Sequence, residues 1–334
     1  MTNIPRRLRY AAVVLALLVT GCGGSSATTT GSHAHRATQR TTATVAAPAT
    51  FVFRHLYSLP APLRDPAFAV LGGSRFLLAG GLSAADTSTT EVDIGDLHHI
   101  VRSGTLPGAQ HDAQAAGLSQ GGYVFGGGNL TEYDHIFKID PTTASVHAAG
   151  RLPSPASDVA VTQVGATAYI VGGYDGANFL NTVVAWTPGR GARVVGHLPV
   201  GLRYAAVTPG PIGQLLVVGG TTPSGASGAV YIFNPATGHT RELARLRHPI
   251  THAGAVTIGS YVYLVGGRSD STTGQTSAIW SINTATGRIR AAGHLPAPTS
   301  DAAVLRIGSA ILIAGGMTPT GTTLAEVGEL VPAP

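Results

Sequence analysis

The chain has 334 residues, of which only 11% are charged and 45 are glycine. Its formal charge of +5 resides in the first fifty residues, which hold five arginines and no acid; sixteen basic and sixteen acidic residues follow. A neutral body lacks the basic surplus that phosphate neutralisation needs, which argues against nucleic-acid binding, and 44% apolar content is enough for a packed core.

Residues 1–21 predict a cleaved signal peptide. Arg6, Arg7 and Arg9 form a positive region, and residues 11–19 form an apolar stretch too short to span a bilayer. The segment Val19-Thr20-Gly21-Cys22 resembles the lipobox of bacterial lipoproteins. That resemblance implies a lipid on Cys22, membrane attachment through it, and a position outside the cytoplasmic membrane. Cys22 is the only cysteine, so a disulfide within the chain and a cysteine-based metal site are both excluded. Residues 22–50 are rich in Ser, Thr, Ala and Gly and predict a flexible tether, with a root-mean-square reach of roughly 30 Å. Its His33 and His35 read as incidental.

From residue 51 onward the chain repeats. Short apolar runs (FLLAGG, YVFGG, AYIVGG, LLVVGG, VYLVGG, ILIAGG) end in glycine pairs closing at Gly81, Gly127, Gly173, Gly220, Gly267 and Gly316. A near-constant step of under fifty residues marks a repeat array. Each repeat opens with a small-residue strand such as AFAV or AGAV and turns at glycine into the apolar strand. After a variable loop comes a third strand with large residues two apart: Phe137/Ile139, Val184/Trp186, Tyr231/Phe233, Trp280/Ile282. Period two puts each pair on one sheet face. A turn such as Asn234-Pro235-Ala236-Thr237-Gly238 leads to a fourth strand, expected to end at Leu-Pro (Leu59-Pro60, Leu106-Pro107, Leu152-Pro153, Leu198-Pro199, Leu295-Pro296), with Leu246-Arg247 the departure.

Four strands per period make a propeller blade. The apolar strand with Gly-Gly, the aromatic third strand, the turn Asp140-Pro141-Thr142-Thr143 and the Leu-Pro segment together resemble the kelch repeat family over residues 51–334. The family's fourth-strand tryptophan is absent, and its tyrosine–tryptophan spacing is not kept. The resemblance implies an all-β, six-bladed kelch-type β-propeller with four antiparallel strands per blade. The chain enters with a fourth-strand sequence, FVFRHLYSLP from Phe51, and its last repeat stops after a third strand, residues 324–331. The N-terminal strand is therefore expected to complete the last blade, hiding both edges.

The residue before each first strand should share a rim with the loop after each Gly-Gly. The first set is Asp65, Asp112, Asp158, Tyr204, His252 and Asp301; the loop set includes Asn129, Tyr174, Asp175, Thr221, Arg268 and Thr318. This predicts an acidic mouth on the channel, broken by Tyr204 and His252. The recurring aspartates could instead stabilise their own loops by accepting backbone N–H bonds. Four carboxylates could ligate a cation, although a ring of them is wide for one ion. Asn129-Leu130-Thr131 matches a glycosylation sequon that a bacterial lipoprotein does not need.

The lone Cys22 excludes a copper oxidase resembling galactose oxidase, which needs a cysteine crosslinked to tyrosine. The sialidase Asp-box is absent, and the Gly-x-Ser-x-Gly match at Gly117-Leu118-Ser119-Gln120-Gly121 falls in the glycine turn between two strands, not at the strand-to-helix elbow that a nucleophile needs. No cofactor, metal or catalytic residue is therefore assigned. The expected role is a monomeric binding module, more plausibly not an enzyme, for a protein or cell-envelope glycan. The alternatives are a sugar isomerase or mutarotase using Asp158 and His252, and a structural spacer without a small ligand. A propeller fold alone does not choose among them.

Overall fold

The computed structural model describes residues 47–333. The signal peptide, Cys22, His33, His35 and most of the tether lie outside the described residues. Alternating apolar positions and frequent turns make strands throughout, and no α-helix occurs among the described residues; Pro211–Gly213 is a single 3₁₀ turn. No helix there is long and apolar enough to cross a membrane.

The strands run in chain order as β1 (Phe51–Ser58), then β2 (Ala67–Gly72), β3 (Arg75–Ala79), β4 (Thr89–Gly95) and β5 (Ile100–Gln110). Next come β6 (Gln114–Leu118), β7 (Gly121–Phe125), β8 (His135–Ile139) and β9 (Val146–Arg151), followed by β10 (Ala160–Val164), β11 (Thr167–Val171), β12 (Thr182–Thr187) and β13 (Gly191–His197). The third quarter holds β14 (Ala206–Pro209), β15 (Leu215–Val218), a small hairpin of β16 (Thr221–Thr222) and β17 (Gly225–Ala226), then β18 (Ala229–Asn234) and β19 (His239–Arg245). Last are β20 (Gly254–Ile258), β21 (Tyr261–Val265), β22 (Ala278–Asn283), β23 (Ile289–His294), β24 (Ala303–Ile307), β25 (Ala310–Ala314) and β26 (Glu326–Pro332).

Four antiparallel four-stranded sheets follow chain order: β2–β5, β6–β9, β10–β13, and β14-β15-β18-β19. The other eight main strands form one sheet, β20-β21-β22-β23-β1-β26-β25-β24, in two halves joined by the parallel pair Phe51↔Gly293. Here the N-terminal β1 lies antiparallel to the C-terminal β26, from Phe51↔Pro332 to Ser58↔Glu326. Contacts with the body begin before Phe51: the Ala49 N–H donates to the Tyr263 hydroxyl at 2.9 Å, and Thr50 O accepts from the Ala333 N–H.

Apolar clusters fill the gaps between successive sheets. Leu77 and Val92 of the first sheet meet Val124 and Ile139 of the second, and Phe76 and Leu78 meet Leu312 and Val327 at the chain's end. Burial of each such side chain contributes about 1.5–3 kcal/mol. The first strands are built of Ala, Gly and Val because they line a narrow central channel of about 90 Å³. At the end of β3 both glycines take positive φ, 62° for Gly80 and 106° for Gly81, and a Cβ on Gly81 would sit 2.6 Å from the Arg64 carbonyl oxygen.

One strand end differs from expectation. Leu106-Pro107 lies inside β5 instead of ending it, because pairing resumes at Thr89↔Gln110 after Glu91↔Thr105. Proline falls within this register shift, where no ladder donor is required. The fourth-strand turns are as the sequence suggests: Asp140 Oδ1 accepts from the Thr142 and Thr143 N–H groups, and Asn234 Oδ1 from Ala236.

Candidate functional site

The six residues preceding the first strands share one backbone conformation. Asp65, Asp112, Asp158, Tyr204, His252 and Asp301 all have φ between 49° and 62°. In five of the six this turn aims the N–H sideways at the ring residue of a neighbouring sheet. Asp158 donates to the Asp112 carbonyl, Tyr204 to Asp158, His252 to Tyr204, Asp301 to His252 and Asp65 to Asp301, at 2.9–3.2 Å. The step between Asp65 and Asp112 is the one without this bond among the described residues. Aspartate and histidine enter the left-handed region more readily than other residues with a Cβ, whereas the bulky tyrosine there is strained, as residues at functional sites often are. The aspartates thus work through their own backbone; the carboxylates are free for other partners.

Those carboxylates crowd together in a dry setting. Burial, then the Asp301 and Asp112 carboxylates, push Asp65 well above the usual carboxylate range. Burial and the Asp158 carboxylate do the same to Asp112, and burial raises Asp301. The Tyr204 hydroxyl donates to Asp112 Oδ2 at 3.1 Å, and its ring stacks on His252, with centroids 3.8 Å apart. Arg268 Nη2 donates to His252 Nε2 at 3.0 Å. A guanidinium cannot accept, so the proton of neutral His252 sits on Nδ1, which donates to Thr251 Oγ1 at 3.0 Å. Burial, Arg268 and Arg203 hold the His252 pKa well below its ordinary value. Asp301 Oδ2 accepts from the Ser300 hydroxyl, while its buried Oδ1, 3.8 Å from His252 Nε2, has no hydrogen-bond partner.

A pH dependence follows. The folded-state pKa of Asp112 is raised, so its stabilising contribution is present below the unfolded carboxylate pKa and is lost as pH rises through the folded value. Asp112→Asn, which keeps a residue tolerant of the left-handed turn, should therefore be more stable than the parent at about pH 8, with the gain vanishing toward about pH 4. Urea midpoints at both pH values test this; a variant less stable at the higher pH would show that Asp112 is ionised in the fold.

Five of the six ring residues, Asp158 excepted, line a cup of about 540 Å³ on the loop side and also line the narrow channel on the other side. The ring is a constriction between the two. Arg64, His111 and Arg268 stand on the cup wall. Arg64 Nη2 pairs with Asp86 at 2.6 Å, and Arg203 Nε donates to Asp158. The mouth is thus of mixed charge, with guanidinium groups set among carboxyls several of which favour the neutral form. Arg64, Arg203 and His111 were not singled out by the repeat pattern. Their signal was available, since each immediately precedes a ring position, where the other repeats carry Ser or Thr.

The loop residues scatter. Arg268 lines the cup, and Thr221 lines an adjoining pocket, with its Oγ1 2.8 Å from Thr251 Oγ1. Tyr174 packs edge-on against Phe179 beneath Arg203 and donates its hydroxyl to the Gly176 carbonyl. Asp175 caps its own loop: the Asn178 and Ala177 N–H groups bind Oδ1 and hold its pKa low. Asn129 Oδ1 accepts from Ser88, and Thr318 Oγ1 lies 2.8 Å from Thr320 Oγ1 within its own loop. Among the described residues no group of three or more His, Cys, Asp or Glu is placed to hold a metal ion.

No protein-family model matches the chain, and no curated protein sequence matches it. Among solved structures 1007 chains match. One is the structure of YjhT, a kelch-type β-propeller, at 17% identity and a TM-score of 0.69 over 81% of this chain and 95% of that one. At that identity the likeness shows the fold alone: an all-β chain of four-stranded antiparallel sheets with the kelch-type propeller arrangement.

Proposed function

We propose that the chain is a six-bladed propeller, lipid-anchored at Cys22 outside the cytoplasmic membrane, that binds a cell-envelope glycan in the cup. The blade count takes the eight-stranded sheet as two blades bridged at Phe51, added to the four separate sheets. The observation that carries the reading is the cup itself, a polar, asymmetric cavity of about 540 Å³ floored by a constriction. Its size suits one or two sugar units better than a broad protein surface. Its walls offer guanidinium donors, carboxyl acceptors and the Met317 and Leu82 side chains, a mixture suited to hydroxyls and the apolar faces of sugar rings. Tyr204 and His252 break the aspartate repeat, and such a break lets an asymmetric ligand bind in one orientation.

The isomerase reading has less support. Arg203 engages Asp158, and Tyr204 stands between Asp158 and His252 in the ring. The glycan reading is tested by calorimetric titration of the full chain with soluble peptidoglycan fragments, with Tyr204→Ala as the variant. Saturable binding that Tyr204→Ala weakens at least about tenfold is expected. No heat with any fragment, together with capture of an envelope protein by crosslinking, would replace the glycan with a protein partner.

A further inference from the structure

Two guanidinium groups converge on one neutral imidazole. Arg203, just before β14, and Arg268, just after β21, line with Tyr204, Thr221, His252 and Asp270 a pocket of about 320 Å³ that adjoins the cup. Both are held in place. Arg203 donates to Asp158, and its guanidinium carbon lies 4.5 Å from the Tyr174 ring centre, 5.1 Å from Phe179 and 5.3 Å from Tyr204. Arg268 is held by its bond to His252 Nε2.

Their charges are not matched. Asp158 offsets Arg203, but Arg268 forms no ion pair among the described residues. Asp270, the acid on this pocket, turns Oδ1 to the Ala226 N–H. Asp301 lies beyond the imidazole, 3.8 Å from His252 Nε2, where burial raises its pKa against the opposing pull of the Ser300 hydroxyl and the Arg268 charge. His252 adds no positive charge, because burial and the two arginines keep it unprotonated. A fixed cation without an ion-pair partner, beside a second cation in a partly dry pocket, is preorganised for an anion.

Building on the glycan reading, we propose that this pocket receives a carboxylate carried by the ligand, between Arg203 and Arg268. The planar fork of a guanidinium matches a carboxylate. Asp270 on the same wall disfavours a doubly charged phosphate group, and the Thr221 hydroxyl adds a further donor to the pocket. The ligand class is thus a sugar bearing a carboxylate substituent, and the neutral sugar is its discriminating control.

The test compares N-acetylmuramic acid with N-acetylglucosamine, which lacks the lactyl carboxylate, by titration of the full chain and of Arg268→Gln. The acidic sugar should bind about ten- to a hundredfold more tightly, and Arg268→Gln should remove that preference. Equal binding of both sugars, unchanged in Arg268→Gln, would overturn the carboxylate assignment while leaving the glycan reading standing. A second measurement does not depend on the sugar: titration with lactate, followed through the His252 imidazole resonances. A shift that saturates in the parent and is lost in Arg268→Gln supports the assignment even if no glycan binds. Identical responses in parent and variant, or none in either, refute it.

Discussion

Deleting residues 51–58 is expected to unfold the protein at physiological temperature. β1 supplies the strand that β26 needs, and it also carries the single pair that joins the two halves of the eight-stranded sheet, Phe51↔Gly293. Phe51 is 5% exposed and meets Tyr263 edge-on at 4.8 Å. Truncating a buried phenylalanine to alanine alone costs about 3–5 kcal/mol, a large share of the roughly 5–15 kcal/mol that holds a domain. The deletion also removes Arg54, the partner of the buried Glu329 carboxylate, and opens a strand edge that invites aggregation. Circular dichroism melting and urea titration measure this, with Phe51→Ala as the milder step. A deletion variant that still melts cooperatively within a few degrees of the parent would show that β1 is dispensable.

The second large effect is expected at Gly117, in β6. A Cβ there would run into the Val70 carbonyl oxygen of the neighbouring first strand. Both sides of this contact are backbone held in ladders, Gly117↔Gly122 and Val70↔Phe76. Relief requires adjacent sheets to move apart where the first strands converge. Gly117→Ala should therefore cost about 3 kcal/mol or more, the upper end of overpacking penalties. Gly73 makes the control. Its φ is 58° but a Cβ would meet nothing within 4 Å, so Gly73→Ala carries only the left-handed penalty of about 1–2 kcal/mol. Equal losses in the two variants would mean that the sheets are not packed backbone to backbone.

Much of this architecture is legible in the chain because its causes are local. A glycine pair at the end of an apolar run reports a backbone that turns through positive φ, and alternation such as Val184/Trp186 reports a half-buried strand; Trp186 is 1% exposed. The six ring positions could be found by counting because each stands at a fixed distance from its strand. Their conformation could not. Nothing in Tyr204 suggests a left-handed backbone, which accompanies the bonds that the Tyr204 and His252 N–H groups make to the neighbouring sheet. Pro107 is the converse case: a residue that ends pairing by itself is absorbed in β5 because a register shift removes the need for its donor.

By itself, then, the sequence determined the strand count per repeat, the small residues at the axis and the ring positions before each first strand, since repetition and stereochemistry act over a few residues. The charge state of the mouth was decided by the tertiary structure alone. Arg203 meets Asp158 across 45 residues, Tyr204 meets Asp112 across 92, and Arg268 is left without a carboxylate beside a neutral His252. Coulomb energies and desolvation depend on separations in space and on the exclusion of water, and neither quantity exists until the sheets have packed.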